Sequence, residues 1–256
     1  MSRICLTAAA VLCACALCGC ATTSREATAA NDPLEPMNRA VYGFDEKFDQ
    51  YVYLTVAGLY VNNIPKPVRL GIHNVFSNAE EPVSIANDVL QLRFDRAARM
   101  TARMTLNSTV GLGGIVDVAA KHDLPEQKAD FGQTLSRFGV GEGPFLVLPI
   151  IGPEPPRDML GDTADLFLDP ITWIPDGWPL LDRVGVTADV HIWKPYLTHA
   201  RDMVLRHELE KGSVDPYATM RSTYRQIRND EIHGTTAAPT PDDLSAAPPS
   251  GAGGKK

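Results

Sequence analysis

The most reactive side chains in this 256-residue sequence are five cysteines, at positions 5, 13, 15, 18 and 20, with none afterwards. A thiol can form a bridge, bind a metal or attack as a nucleophile. A disulfide framework needs cysteines spread along the fold so that loops are closed, and these are bunched at one end. A zinc site of mixed ligands needs histidine, and none stands among them. That leaves one thiol with a chemical task and four without. The surrounding residues have the layout of a secretory signal: Arg3, an apolar run over 4–17, then small residues. The run is too short to span a bilayer, which takes about 20 apolar residues.

Leu17-Cys18-Gly19-Cys20 resembles the bacterial lipobox, a Leu-x-small-Cys pattern. The resemblance implies that Cys20 is diacylglycerylated through sulfur, becomes the N-terminus on cleavage, and is acylated on nitrogen. The alternative is an ordinary cleaved signal with a chance cysteine. Each buried CH₂ contributes about 0.8 kcal/mol, so three chains form a nearly permanent anchor. By analogy with bacterial lipoproteins, Ala21, where an Asp would favour inner-membrane retention, points to the outer membrane of a Gram-negative cell.

The rest of the chain carries little covalent chemistry. There is no G-x-S-x-G nucleophile motif. The histidines at 73, 122, 191, 199, 207 and 233 are scattered, and His207-Glu208 lacks the second histidine of a zinc helix. GVGEGP (139–144) has no following Lys-Ser/Thr and no βαβ setting, so it reads as a bending element rather than a phosphate loop. Asp158, Asp162, Asp165 and Asp169 share a helical face, which reads as solvated or arginine-paired more readily than as a cation site. Arg96, Arg99 and Arg103 form a converse stripe, either a solvent face or candidate contacts for lipid phosphate or protein carboxylates. No catalytic residue, metal ligand or cofactor site is expected.

The elements that position these groups read as mainly α. Asp32-Pro33, Asp169-Pro170 and Asp215-Pro216 signal helix starts, and Glu35 completes a capping box with Asp32. Met37, Val41, Phe44, Phe48 and Val52 form an apolar stripe expected to face core or lipid. Asp95 opens a helix with Ala97, Met100 and Met104 on one face, while Pro65, Pro67 and Pro82 punctuate the stretch before it. The stretch 184–211 is helical in tone, with a break at Pro195. Phe145–Ile151 is the best candidate for a short hairpin. The expected organisation is a signal peptide over 1–19, a lipidated cysteine and flexible tether over 20–31, one helical domain over 32–233, and a disordered Pro/Ala/Gly-rich tail over 234–256. Arg3 is the only charge in 1–19, so the processed chain carries 31 acidic against 23 basic side chains. That excess argues against a nucleic-acid binder.

Several stretches together resemble the MlaA/VacJ family of outer-membrane lipoproteins. They are DPLEPMNRAVYGFDEKFD (32–49), EEP within 77–91, LNSTVGLGGIVDVA (106–119), FGQTLSRFGVGEGPFLVLPIIGP (131–153), RDMLGD (157–162) and SVDPY (213–217). The resemblance implies a single domain of amphipathic helices, ring-shaped around a channel and lying in the periplasmic leaflet. It implies removal of misplaced phospholipid from the outer leaflet and its passage toward the inner membrane. The implied partners are an outer-membrane porin trimer, a periplasmic lipid-carrier protein and an inner-membrane ABC-type complex. The alternative is a lipoprotein scaffold that organises porins without passing lipid. Phe44, Phe48, Phe145, Leu146, Leu148 and Ile150 are candidates for a lipid path or gate, with Gly139, Gly141, Gly143 and Gly152 as its hinges.

Overall fold

The computed structural model describes residues 30–169 and 212–233. The signal segment, Cys20, residues 21–29, the helix expected after Asp169-Pro170, the stretch 184–211 and the tail lie outside the described residues. The elements are α1 (Glu35–Phe48), a π-helical turn (Asp49–Tyr53), α2 (Leu54–Asn63), α3 (Lys66–Leu90), α4 (Phe94–Thr109), a 3₁₀ turn (Ala119–His122), α5 (Phe131–Arg137), β1 (Val147–Leu148), β2 (Gly152–Pro153), α6 (Pro156–Leu168) and α7 (Pro216–His233). The mainly α class and the short hairpin stand as expected.

Asp215 caps α7 as expected: its Oδ1 accepts from the Ala218 amide at 3.1 Å, and the carboxylate also takes a two-point contact from Arg39 of α1 at 3.0 and 2.7 Å. Asp32 departs from its expected role. Helix α1 starts without any side-chain cap. The Asp32 carboxylate is fully buried and accepts instead from Asn38, Tyr217 and Arg221. Glu35 turns to Arg39 at 2.7 Å rather than closing a capping box. A buried carboxylate needs cationic and hydrogen-bond partners more than one helix end needs a cap. Pro82 does not punctuate, because it lies inside the 25-residue α3. Its fixed φ suits a helix and only one backbone bond is forfeited, while neighbouring Glu81 is held by Arg103 of α4. Asn31 donates to the Gly143 carbonyl at 2.6 Å and accepts from the Phe145 amide at 2.9 Å, so the chain is held at residue 31.

Helix α3 packs on α4, and α5 packs on α6. The second pair depends on two glycines. A Cβ on Gly161 would lie 2.7 Å from the Gly132 Cα, closer than real Cβ atoms approach. A Cβ on Gly132 would lie 2.6 Å from an Arg228 Nη and 2.7 Å from an Asp158 Oδ. The two backbones therefore touch, and an ion pair seats across their contact. The hairpin pairs Val147 with Pro153 and Leu148 with Gly152. Its turn holds Ile150 at φ +72° and Gly152 at φ +90°.

Among the described residues Phe145, Val147, Tyr217 and Met220 form a buried apolar cluster, with Val41, Tyr42 and Tyr224 packed against them. Ring contacts are edge-on, with centroids 5.9 Å apart for Tyr42–Tyr217 and 6.0 Å for Phe145–Tyr224. Most other buried positions are polar or charged, among them Asn38, Glu81, Asn87, Asp88, Arg103, Asn107, Gln133, Arg157 and Asp158.

Candidate functional site

The distribution of polarity is the main functional feature. Large apolar side chains face outward on nearly every helix: Phe44, Val56, Leu59, Val68, Leu90, Phe94, Leu160 and Phe167 are examples. Phe44 is 51 % exposed although it stacks on Phe48 with centroids 6.4 Å apart. The amphipathic stripe of α1 was expected to meet core or lipid. Of its residues Val41 packs against the core cluster, while Phe44 and Val52 are exposed. Water-soluble monomers rarely expose apolar patches this extensive, and such surfaces mark contact with lipid or another protein. Among the described residues no helix is long and apolar enough to cross a membrane.

Inside, three ion-paired networks replace an oily core. In the first, Arg103 of α4 reaches Glu81 of α3 at 2.8 Å, Asp117 at 2.7 Å and the Leu124 carbonyl at 2.7 Å. Burial pushes the Glu81 carboxyl up, and Arg103 opposes it. Asn107 completes this network, donating to Asp117 and accepting from the Val118 and Ala119 amides. In the second, Arg228 of α7 makes a two-point contact with Asp130, at 2.7 and 2.8 Å, and also reaches Asp158 at 2.8 Å. Tyr224 donates to Asp158 at 2.9 Å and Arg157 pairs with it at 3.0 Å. Burial alone would raise Asp158, but the hydrogen bonds and charge of Arg228, the Tyr224 hydroxyl and Arg157 together outweigh it and hold its carboxyl below the ordinary range. The third is the Asp32 hub already described, in which Tyr217 donates at 2.5 Å.

Beside the second network, three carboxyls are shifted upward. Glu154 rises to about 8, chiefly through burial and then through Asp162 and Asp158. Asp162 and Asp165 rise to about 6, in each case chiefly through desolvation, with Asp130 adding repulsion. Part of Asp162 reaches the surface, but its carboxyl sits close enough to the cluster to feel it.

The aspartate face of α6 is thus mixed, with Asp162 exposed and Asp165 half-buried. Asp158 and Asp169 are buried, and Asp165 accepts from Asn87 and from the Phe131 amide. The arginine-paired reading holds for Asp158. Among the described residues no group of three or more His, Cys, Asp or Glu is placed to hold a metal ion.

The arginine stripe divides. Arg99 is exposed, and Arg96 is half-buried, with Asp88 at 3.1 Å. Arg103 is buried, contrary to the solvent-face reading, because Glu81 and Asp117 draw its guanidinium inward. The buried face of α4 is accordingly Ala97, Met100, Arg103 and Asn107, with Met104 displaced toward its edge.

The candidate gate divides as well. Phe145 is a core residue. The cause is Asn38, which accepts from the Val147 amide at 3.0 Å and donates to the Phe145 carbonyl at 2.9 Å. Leu146 and Leu148 are half-buried, and the tip residues Ile150 and Ile151 are exposed. The Asp45 carboxylate of α1 accepts from the Ile150 amide at 2.7 Å and tethers the tip. Of the candidate hinges, Gly139, Gly143 and Gly152 take positive φ and Gly141 does not. Sequence reading missed Asn38, Asp45, Asp130 and Arg228. Their signal was weak, because each is a polar residue in a helix or turn where exposure is the default expectation.

With many polar groups buried and large apolar side chains exposed, the described part of this mainly helical body presents surfaces suited to contact with lipid or another protein. The chain belongs to the MlaA lipoprotein family, which it matches over residues 30–231. It is 34 % identical over 221 residues to the intermembrane phospholipid transport system lipoprotein MlaA of Escherichia coli, covering 84 % of each chain. It is 33 % identical over 225 residues to the protein of that name in Haemophilus influenzae, covering 85 % of this chain and 86 % of the relative. It also resembles a chain solved in work on the structural basis for maintenance of bacterial outer membrane lipid asymmetry. That likeness has a TM-score of 0.66 and 32 % identity, covering 78 % of this chain and 98 % of the solved one.

Proposed function

We propose that this protein is an outer-membrane lipoprotein of an intermembrane phospholipid transport system. It removes misplaced phospholipid from the outer leaflet and passes it toward the inner membrane. The observation that carries this reading is the inverted polarity. Outward apolar side chains suit acyl chains, and ion-paired interior residues supply the polar surroundings that a charged head group requires. Family membership and the names of the relatives point the same way.

In this reading Cys20 anchors the body, which lies in the periplasmic leaflet as a ring around an amphipathic path. The exposed hairpin tip, Ile150 and Ile151, gates that path, with Gly139, Gly143 and Gly152 absorbing the motion. The transfer needs no covalent step. Its partners are a porin trimer in the outer membrane, a periplasmic lipid-carrier protein and an inner-membrane ABC-type complex. The test is phospholipid analysis of the surface leaflet in cells with and without the protein. Accumulation of surface phospholipid on deletion, reversed by the wild-type chain, is expected. Unchanged surface phospholipid overturns the reading and leaves a scaffold role.

A further inference from the structure

Three elements meet at one corner of the molecule: the α3–α4 connection over 91–93, the C-terminal end of α5 and the C-terminal end of α7. Their placement is fixed by polar bonds. Gln91 donates to Thr134 at 3.0 Å, and Thr134 donates to Asn87 at 2.8 Å, which ties α5 to the end of α3. Arg93 donates through Nη2 to the Ile232 carbonyl at 3.0 Å, which ties the end of α7 to the same place. Arg93, Arg96 and Arg99 converge on the buried Asp88, and Arg93 also feels Arg137, the last residue of α5.

The positive charge at this corner is incompletely answered. Asp88 is taken up by Arg96, and Asp95 is the other carboxylate on the first turn of α4. Asp230 and Glu231 stand on the last turn of α7, where Glu231 pairs with Arg228. Arg93 Nη1 is buried without a hydrogen-bond partner. Arg99 and Arg137 are exposed and form no ion pair with a carboxylate among the described residues. A buried guanidinium N–H without an acceptor is costly, and an oxyanion beside it is the partner that would offset that cost. The apolar side chains interleaved with these arginines are among the most exposed of the body: Leu92 at 71 %, Phe94 at 61 % and Phe138 at 70 %. Leu92 is held at φ +58°, which turns the connection sharply there.

From this juxtaposition we infer that the corner of Arg93, Arg99 and Arg137 binds the phosphate of a phospholipid head group, with Leu92, Phe94 and Phe138 against its acyl chains. This deepens the lipid-transport reading and rests on it. It replaces Arg103, which is committed inside, with Arg93 and Arg137 as the phosphate-facing arginines. A purely electrostatic phosphate site would not need apolar groups around it, and a purely apolar lipid face would not concentrate guanidiniums. Their combination matches one molecule that carries both chemistries.

The test uses the full lipidated protein in a non-ionic detergent. Three probes are titrated: dihexanoyl-phosphatidylglycerol, dihexanoylglycerol without phosphate, and inorganic phosphate. Binding is read by native mass spectrometry and by the shift of the unfolding midpoint. The phosphatidylglycerol is expected to bind one to one and to raise the midpoint. Dihexanoylglycerol and inorganic phosphate are each expected to bind at least about tenfold more weakly, as follows from losing one charge-assisted contact set or the apolar one. Arg137→Glu is exposed and leaves the fold intact, and it is expected to weaken phosphatidylglycerol by about tenfold or more. Arg93→Lys, which keeps the charge, is expected to weaken it less. Phosphatidylglycerol binding unchanged by Arg137→Glu overturns the site, as does inorganic phosphate binding as tightly as the lipid. If R137E binds lipid normally while deletion still fills the surface leaflet with phospholipid, the site falls and the transport reading stands. If deletion leaves the surface leaflet unchanged, the transport reading falls whatever the titration gives.

Discussion

Replacing Arg228 by Met would remove the one cation that joins α7 to α5 and α6 while keeping most of the aliphatic stem. Arg228 holds both oxygens of Asp130 and one of Asp158, and its side chain is 13 % exposed. After the change Asp158 keeps Arg157, but Asp130 keeps no arginine, and Glu154 and Asp162 remain nearby. Breaking a buried pair by removing one partner costs about 3–5 kcal/mol. In a folded body of about 200 residues each kcal/mol moves the unfolding midpoint by about 2–4 °C. The expected drop is therefore about 6–20 °C at neutral pH. It should shrink in the double variant R228M/D130N, which removes the stranded charge. Circular dichroism melts of the three proteins measure this. A drop below about 2 °C at neutral pH would refute the argument that this network, rather than apolar packing, fastens the last helix.

Other outcomes follow from the same geometry. Glu154 has its folded-state value raised to about 8, so the folded protein holds a proton that the unfolded chain releases above about 4.5. Its contribution is fully present at low pH and is lost as pH climbs through 8, with a slope of at most about 1.4 kcal/mol per pH unit. The unfolding midpoint should rise on acidification from pH 8 to 5, and Glu154→Gln should flatten that rise; an unchanged slope in the variant would count against it. Gly161→Ala sets a Cβ against the Gly132 backbone and should destabilise by about 1–3 kcal/mol, read from denaturant midpoints, with neutrality as the contrary result. Cys20→Ser should leave an unprocessed precursor that takes up no radioactive palmitate, and normal labelling would contradict the lipobox assignment.

Local patterns were legible where one element's own backbone decided the outcome. Asp215-Pro216 predicts a helix start, and the cap forms because the carboxylate can serve the Ala218 amide and the Arg39 guanidinium at once. The hairpin at Phe145–Ile151 was legible from its glycine and proline borders, since those residues fix backbone angles wherever the chain lies. The family was legible because its signature stretches keep their order along the chain. Direction was not. Helical spacing tells which residues share a face, but not whether that face meets protein, lipid or water. Arg103 shares its face with Ala97 and Met100, so periodicity alone placed it in the wrong stripe.

The sequence by itself determined that the chain is helical and that its stripes are amphipathic. Only the tertiary structure decided that the stripes turn their apolar side outward and their charges inward. It also decided that Asp32 is a buried hub rather than a cap, and that Arg93 and Arg137, 44 positions apart in the sequence, share one corner. The reason is that a buried charge is tolerated only when partners from distant segments converge on it. Short windows of the sequence miss most of these partners: Asp32 and Arg221 stand 189 positions apart.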